Sequence, residues 1–174
     1  MEPRVIRIGQ GIDIHPFEDS RPLILGGVRI SDRGGLSGHS DADAVLHALT
    51  DALLGAAGAG DIGQYFPSDD PQWKGADSTR FVAEAKRIVD EMNAEINNVD
   101  ITIIAEKPKL APFRDAMAAK IAKLLDIPSG HINVKATTAD RLGFIGRGEG
   151  LCAMAIVLID IAGASDHSPI EGVL

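Results

Sequence analysis

The feature that most constrains the fold is a change of hydrophobic period along the chain. Isoleucines at positions 6, 8, 12 and 14 lie at even spacing, which predicts a strand from Arg4 to Ile14. Apolar residues recur at helical spacing in residues 41–57, 78–96 and 112–125, and strand-like patterns return at 99–103, 132–136 and 151–161. This order predicts an α/β sandwich, in which helices pack on one face of a mixed β-sheet.

Short signals mark the ends of these elements. Gly26-Gly27 separates two short apolar runs and predicts a hairpin with a two-residue turn. Ser40 stands where the N-cap of the first helix is expected, and Asn97-Asn98 stands where the second helix is expected to end. Gly9 and Gly11 would allow the first strand to bend or another element to approach its backbone closely.

Composition excludes several classes of protein. The 174 residues carry a net charge of −8, so general electrostatic attraction to nucleic acid is not expected. The longest apolar run, Leu151–Ile159, is shorter than the roughly 20 residues that a membrane helix needs, and a single cysteine, Cys152, excludes an internal disulfide. Because the N-terminus also lacks a signal-peptide pattern, we expect a cytoplasmic chain. We expect one domain at residues 1–162 and a polar, flexible tail at residues 163–174.

Asp13 and His15 form a D-x-H pattern on the first predicted strand, where both side chains point to the same face. His47, on the first predicted helix, could supply a third ligand, and two histidines with one carboxylate are typical of a catalytic zinc site. Asp43 lies four residues before His47 and could orient its imidazole, or it could simply be solvated. Taken alone, the pattern favours a surface aspartate and two unrelated histidines over a metal site.

Three other segments are candidates for binding phosphate or a nucleobase. His39 and Ser40 precede a helix N-terminus, which favours anions, although plain helix capping also explains them. Residues 136–150 combine two threonines and Asp140 with arginines and glycines, which suits phosphate with a divalent cation or simply a tight turn. The loop 105–112 contains two prolines that could hold backbone groups against a nucleobase, or it could be a solvated loop.

Motifs spread over most of the chain resemble the 2-C-methyl-D-erythritol 2,4-cyclodiphosphate synthase family. They are GxDxH at 11–15, GGVRI at 26–30, HSDADxxLHALTDALLGAA at 39–57, GDIGxxFP at 60–67, KGADS at 74–78, NVDxTIIAExPKLAP at 98–112, NVKATT at 133–138 and LGFxGRGEG at 142–150. The resemblance implies conversion of 4-diphosphocytidyl-2-C-methyl-D-erythritol 2-phosphate to the cyclic diphosphate and CMP, in the non-mevalonate isoprenoid pathway. The 2-phosphate of the substrate attacks its own β-phosphate, so the implied enzyme is a phosphorus–oxygen lyase.

The resemblance also implies a role for each matched residue. Asp13, His15 and His47 would bind zinc, His39 and Thr138 would be catalytic, and Asp140 would bind magnesium or manganese where the family has Glu. His39 and Ser40 would hold the attacking 2-phosphate, residues 61–63 and 66–70 the methylerythritol, and residues 105–111 with Thr137 the cytidine. The implied substrate contacts are Asp13, Ile14, His15, His39, Ser40, Asp61, Ile62, Gly63, Phe66, Pro67, Ser68, Asp69, Asp70, Ala105, Glu106, Lys107, Pro108, Lys109, Leu110, Ala111, Thr137, Thr138, Ala139, Asp140, Phe144 and Arg147.

The assembly implied by the resemblance is a homotrimer with active sites between subunits. Its central apolar cavity can bind an isoprenoid diphosphate, and Phe144, Arg147 and Glu149 match positions near that cavity. Two other functions remain open: a zinc-dependent phosphoric-ester hydrolase, and a non-catalytic trimeric sensor of isoprenoid diphosphates. The sequence has no obvious general base beside the zinc ligands, which argues against the first. Intact ligands and an intact Thr137-Thr138 argue against the second.

Overall fold

A five-stranded sheet with the strand order β4-β1-β7-β5-β6 forms the centre of the computed structural model, which describes residues 4–162. The strands are β1 (Arg4–Glu18), β2 (Leu23–Leu25), β3 (Val28–Ser31), β4 (Gly35–Leu36), β5 (Ala94–Ile104), β6 (Ile132–Thr137) and β7 (Gly150–Ala162). The helices are α1 (Ala44–Ala57), α2 (Ile62–Tyr65), α3 (Thr79–Glu91), α4 (Arg114–Leu125) and α5 (Gly143–Gly146). Short 3₁₀ turns lie at Pro71–Trp73, Ala111–Phe113 and Ser129–His131.

The sheet is mixed, as the hydrophobic periods predict. The long strand β7 pairs antiparallel with both β1 and β5, whereas β5 and β6 run parallel. Odd-numbered residues of β7, such as Val157 and Ile159, are fully buried in one core with the apolar faces of α1, α3 and α4. The prediction of helices packed on one face of a mixed sheet is therefore confirmed. The predicted hairpin is also present, with β2 and β3 joined through Gly26-Gly27.

Helix α1 begins later than predicted, and its N-cap is Asp43 rather than Ser40. Ala42 has a left-handed backbone (φ 59°), so the chain cannot be helical before this point. The fully buried Asp43 carboxylate accepts hydrogen bonds from Val45 N and Leu46 N at the helix start. It also accepts bonds from Gly26 N and Gly27 N in the β2–β3 turn. The prediction that the Asp43 side chain orients His47 is therefore wrong, because these four donors occupy it.

The second helix ends earlier than its hydrophobic stripe predicts. Asn93 takes a left-handed conformation (φ 53°) directly after α3, and the chain enters β5 at Ala94. Ile96, predicted as the last helical residue, is instead a buried strand residue. The prediction failed here because an apolar residue at this position fits both the helical and the strand period. The Asn97-Asn98 pair does not end a helix; it lies at an irregularity in the pairing of β5 with β7.

The face of the sheet away from the helices is apolar and exposed in the single chain. On β1, Ile6, Ile8, Ile12 and Ile14 are 64%, 65%, 52% and 51% exposed, and Ile156 on β7 is 43% exposed. Register places Gln10 opposite Ile156 and joins these side chains into one surface. Apolar patches of this kind mark interaction surfaces. Within residues 4–162, no helix is both long and apolar enough to cross a membrane. The predicted tail at 163–174 lies outside the described residues.

Candidate functional site

Asp13, His15 and His47 converge on one point between β1 and α1. The two β1 side chains point toward the helix layer, and His47 projects from the first turn of α1. Asp13 Oδ2 lies 2.9 Å from His15 Nε2 and 3.2 Å from His47 Nδ1, and the two nitrogens are 3.3 Å apart. A tetrahedral ion with bonds of about 2.0–2.1 Å separates its ligand atoms by about 3.3–3.4 Å. These three side chains therefore form a candidate metal site of fitting size.

The charges of Asp13 and His15 depend strongly on each other. Burial acts to raise the pKa of Asp13, but the hydrogen bond from His15 and the attraction of the neighbouring imidazoles lower it to about 2. Burial acts against the His15 cation, yet the hydrogen bond and attraction of Asp13 raise the pKa of His15 above its ordinary value. His15 Nδ1 lies 2.6 Å from Ser37 O and must donate to that carbonyl, so Nε2 is the nitrogen that faces Asp13. Because Nδ1 is bound to Ser37 O, the proton that His15 gains below its raised pKa lies on Nε2, where a metal ion must displace it.

A cleft of about 240 Å³ opens over the three side chains. Its lining includes Asp13, His15, His39, Ser40, His47, Ile62, Gly63, Phe66, Ser68, Trp73 and Phe81. Most residues predicted to hold the 2-phosphate and the methylerythritol are thus brought to the candidate metal site. Ile14, also a predicted substrate contact, does not line this cleft, because its side chain points to the opposite face of the sheet and only its backbone can face the cleft.

Two polar contacts fix the segment that carries His39 and Ser40. Arg21 donates from its guanidinium to the carbonyls of Gly38 and Ser40. The His39 ring donates from Nε2 to Asp70 O at 3.1 Å, which ties this segment to the predicted substrate loop 66–70. The guanidinium of Arg21 also brings positive charge close to the cleft, which suits an anionic ligand. Sequence reasoning did not single out Arg21.

The loop between α1 and α3 is held over the cleft by a carboxylate and an aromatic cluster. Asp51 Oδ1 accepts a bond from Ile62 N at 2.7 Å, and burial raises the pKa of Asp51. Phe66 stacks on Phe81 with a centroid separation of 4.4 Å, and Trp73 packs edge-on against both. These positioning contacts were not predicted, because Phe81 reads only as part of a helix stripe.

The other predicted residues of that loop have local roles. Asp61 caps α2 by accepting from Gln64 N, and Asp70 caps the 3₁₀ turn by accepting from Gln72 N. Asp69 is exposed and Pro67 is half-buried. Pro67, Asp69 and Asp70 lie on the loop that borders the cleft, within the segment predicted to cover the methylerythritol.

A second cleft, of about 190 Å³, lies at the ends of β5 and β6. Its lining is Ala105, Glu106, Pro108, Lys109, Leu110, Ala111, Ala136, Thr137 and Thr138. These are most of the residues predicted to bind cytidine, together with the predicted catalytic Thr138. Within residues 4–162 this cleft shares no lining residue with the cleft over Asp13, His15 and His47. One chain therefore keeps the two halves of the predicted site apart.

The turn after Thr138 is held by Glu106 and presents Asp140. Glu106 Oε1 accepts bonds from Ala139 N and Arg141 N, both at 3.1 Å. Asp140 and Arg141 are left-handed (φ 50° and 63°), a conformation that Asp tolerates better than most residues. The exposed Asp140 carboxylate accepts a 3.4 Å contact from Thr138 Oγ1.

Of the three residues predicted near the isoprenoid cavity, Arg147 lines a larger cleft of about 780 Å³, together with Lys107 and Arg141. Arg147 Nε donates to Glu149 Oε1 at 2.6 Å, so two residues of the predicted isoprenoid cavity form an ion pair. Phe144 is 40% exposed. In the single chain these side chains lie at the surface.

Comparisons with known proteins agree with the fold and the motifs. The model of the YgbB family matches residues 6–160. The chain is 55% identical over 162 residues to 2-C-methyl-D-erythritol 2,4-cyclodiphosphate synthase of Ralstonia nicotianae, covering 93% of this chain and 96% of the relative. It is 54% identical over 157 residues to bifunctional enzyme IspD/IspF of Maricaulis maris, covering 90% of this chain. The chain spans about 41% of the length of that bifunctional relative.

A solved structure gives the same result at the level of the fold. The structure of IspF from Plasmodium falciparum in complex with CDP superposes with a TM-score of 0.79 at 36% identity, covering 91% of this chain and 97% of that chain. The family match spans nearly all of the described residues, and it includes the candidate metal site and both clefts. The chain belongs to the YgbB family.

Proposed function

We propose that the chain is a 2-C-methyl-D-erythritol 2,4-cyclodiphosphate synthase, a phosphorus–oxygen lyase of the non-mevalonate isoprenoid pathway. The observation that carries the proposal is the convergence of Asp13, His15 and His47 in a cleft that His39 and Ser40 also line. A second cleft holds the loop that the resemblance assigns to cytidine. Relatives named as this synthase, at about half identity over most of both chains, support the same activity.

We assign Asp13, His15 and His47 to zinc, because two imidazoles and one carboxylate at tetrahedral spacing suit that ion and leave one position open. Zinc in such a site supplies Lewis acidity toward a phosphate oxygen. Asp140 is assigned to a magnesium or manganese ion, since exposed carboxylate oxygens are ligands that both ions accept.

The proposed reaction is an intramolecular phosphoryl transfer. An oxygen of the substrate's 2-phosphate forms a bond to the β-phosphorus, the bond from that phosphorus to the bridging oxygen breaks, and CMP leaves with the electron pair. His39 and Ser40 would hold the attacking phosphate, with the positive charge of Arg21 behind the segment that carries them, and Thr138 would donate to the β-phosphate. Positioning and charge neutralisation dominate such a transfer, so the chain needs no residue that activates water.

The remaining contacts are assigned by cleft. Ile62 and Gly63 would face the methylerythritol, with the Phe66–Asp70 segment covering it, and backbone groups of residues 105–111 would read the cytosine. The CDP complex of the Plasmodium falciparum relative supports a cytidine nucleotide as a ligand of this chain. We assign Phe144, Arg147 and Glu149 to a surface that binds an isoprenoid diphosphate.

We propose a homotrimer in which each active site joins the metal cleft of one subunit to the cytidine cleft of the next. Two observations support it: the clefts are separate in one chain, and the exposed isoleucine face of β1 and β7 would be covered in an assembly. An exposed apolar sheet face is costly in water, whereas burial between copies would stabilise it.

Product analysis tests the proposed activity. The purified chain, with zinc and magnesium and the cytidyl substrate, should release CMP and the cyclic diphosphate. In ¹⁸O-labelled water neither product should contain label, because no water is consumed. Incorporation of ¹⁸O into the phosphate of either product would support the hydrolase instead. Binding of an isoprenoid diphosphate without any turnover would support the sensor.

A further inference from the structure

The side of the His47 ring turned away from Asp13 contacts a second polar group. His47 Nε2 lies 2.9 Å from the hydroxyl of Ser78, a fully buried residue at the start of α3. Ser40 Oγ lies 3.1 Å from the same nitrogen and also accepts from Ala42 N. Both ring nitrogens of His47 are therefore engaged, Nδ1 by the candidate metal site and Nε2 by hydroxyls.

Asp41 sets the direction of the bond between His47 and Ser78. The Ser78 hydroxyl donates to Asp41 Oδ1, and Ser78 N donates to Asp41 Oδ2 at 3.0 Å. A hydroxyl has a single hydrogen, and a carboxylate oxygen can only accept, so Ser78 Oγ is left with lone pairs toward the imidazole. The Ser78 contact therefore favours a His47 ring hydrogen on Nε2, with the Nδ1 lone pair directed at Asp13 and His15.

We infer that Ser78, oriented by Asp41, is a positioning residue that fixes the tautomer of His47 and so presents Nδ1 to a divalent ion. The consequence for metal binding rests on the metal role proposed above. The tautomer itself is a property of the metal-free protein and is measured separately.

Without this contact, the surroundings of His47 favour the wrong tautomer. The Asp13 carboxylate lies 3.2 Å from Nδ1 and attracts a ring hydrogen to that nitrogen. An imidazole with its hydrogen on Nδ1 has no lone pair there, so that hydrogen must move to Nε2 before the ring can bind an ion held between Asp13 and His15. Partners of this kind typically change metal affinity by about 10–100-fold when they are removed.

The experiment uses metal-free protein with ¹⁵N-labelled histidine. In the wild type, two-bond ¹⁵N–¹H correlations should show His47 protonated on Nε2, and Ser78→Ala should move the hydrogen partly or wholly to Nδ1. Titration with Co²⁺, followed by its visible absorption, should give an affinity about 10–100-fold weaker for Ser78→Ala. Asp41→Asn should act in the same direction, because an amide can leave the Ser78 hydrogen free to turn toward His47.

Two further variants separate this role from a general loss of buried hydrogen bonds. Ser78→Thr restores the hydroxyl and should recover the Nε2 tautomer and most of the affinity. Thr50→Val removes another fully buried hydroxyl, which bonds only to Leu46 O among the described residues, and should leave both readouts unchanged.

A hydrogen on Nδ1 in the wild type, or a Ser78→Ala affinity within twofold of the wild type, would overturn the inference. Turnover of the cytidyl substrate is measured in parallel. Normal turnover with unchanged Ser78→Ala affinity rejects the positioning role alone. The wild type could instead be inactive while its His47 is protonated on Nε2 and Ser78→Ala weakens Co²⁺ binding. That result rejects the proposed reaction and supports the positioning role.

Discussion

Gly9 on β1 lies directly against the backbone of Ala52 on α1, so closely that a Cβ at position 9 would stand 1.8 Å from the Ala52 carbonyl oxygen. Gly11 meets Ala48 O in the same way, at 1.9 Å. This approach, which the two glycines predict, sets the distance between the strand that carries Asp13 and His15 and the helix that carries His47.

Gly9→Ala should therefore destabilise the fold strongly. The added methyl meets backbone atoms that cannot rotate away, so α1 and β1 must separate, at a cost of about 3 kcal/mol or more in the free energy of unfolding. Chemical denaturation followed by circular dichroism measures this. Gly130→Ala is the matched control, because a Cβ there meets nothing within 4 Å. Equal stability of the two variants would contradict the close contact.

His47→Ala should remove the metal while the fold is kept. His47 supplies one of three converging ligand atoms, and two ligands hold a divalent ion far less tightly than three. Metal analysis of purified protein should give about one zinc per wild-type chain and little in the variant. His131→Ala, which changes an exposed histidine, should keep its zinc. Normal zinc content in His47→Ala would remove His47 from the site.

Strand periodicity was sufficient to place Asp13 and His15 on one face, because residues two apart in a strand point the same way. The cap of α1 was not predictable in that way. Whether Ser40 or Asp43 caps the helix depends on the left-handed Ala42 and on amide donors from the β2–β3 turn, which only the tertiary fold brings close. The same holds for Ser78, which reaches His47 only after the intervening loop has closed.

The Asp13–His15 pair should give the metal-free protein a defined pH dependence. The folded pKa of Asp13, about 2, lies below its ordinary 3.8, so its contribution to stability is present above pH 3.8 and is lost as pH falls toward 2. The folded pKa of His15 is raised above 6.5, so its contribution is present below pH 6.5 and is lost as pH rises through the folded value.

The pair therefore stabilises the metal-free fold most between about pH 3.8 and 6.5. The difference in unfolding free energy between the wild type and Asp13→Asn, measured across pH, should be largest in that window. Asp77→Asn, which changes an exposed aspartate that accepts from Thr79 N at the start of α3, is the control and should show no such maximum. A flat difference for Asp13→Asn would contradict the coupling. Metal affinity should instead rise with pH, since the ion displaces the His15 proton.

Mixed oligomers test whether two subunits share a site. His15→Ala disables the metal cleft, and Lys109→Ala alters the cytidine cleft, so each variant alone should lose most activity. If each site combines the two clefts from neighbouring subunits, equal mixing with subunit exchange leaves about a quarter of the sites intact. Assays after exchange, with each variant mixed with itself as the control, measure this. Failure of the mixture to regain activity, or a monomer in analytical ultracentrifugation, would exclude shared sites.

Asp140 stands where the resembling family has Glu, and its carboxylate is about 1.5 Å shorter in reach, given standard bond lengths. Magnesium requires near-octahedral geometry and usually keeps several waters, so we expect Asp140 to hold the ion through a bridging water or a small shift of its turn. Asp140→Asn should lower turnover by about 10–100-fold, as loss of a metal-site partner usually does. Zinc content should stay normal, because the zinc ligands line the other cleft.

Asp140→Asn should change the charge without straining the backbone, since Asn also tolerates the left-handed φ of 50° at this position. Asp126→Asn changes another exposed aspartate at φ 53°, the C-cap of α4, and should leave turnover unchanged. Asp140→Glu should keep or raise activity, as its longer carboxylate reaches the ion directly. Manganese should support the wild type at least as well as magnesium, because it tolerates less regular geometry. Wild-type turnover by Asp140→Asn at limiting magnesium would show that the carboxylate binds no metal, and the second-metal assignment would then be wrong.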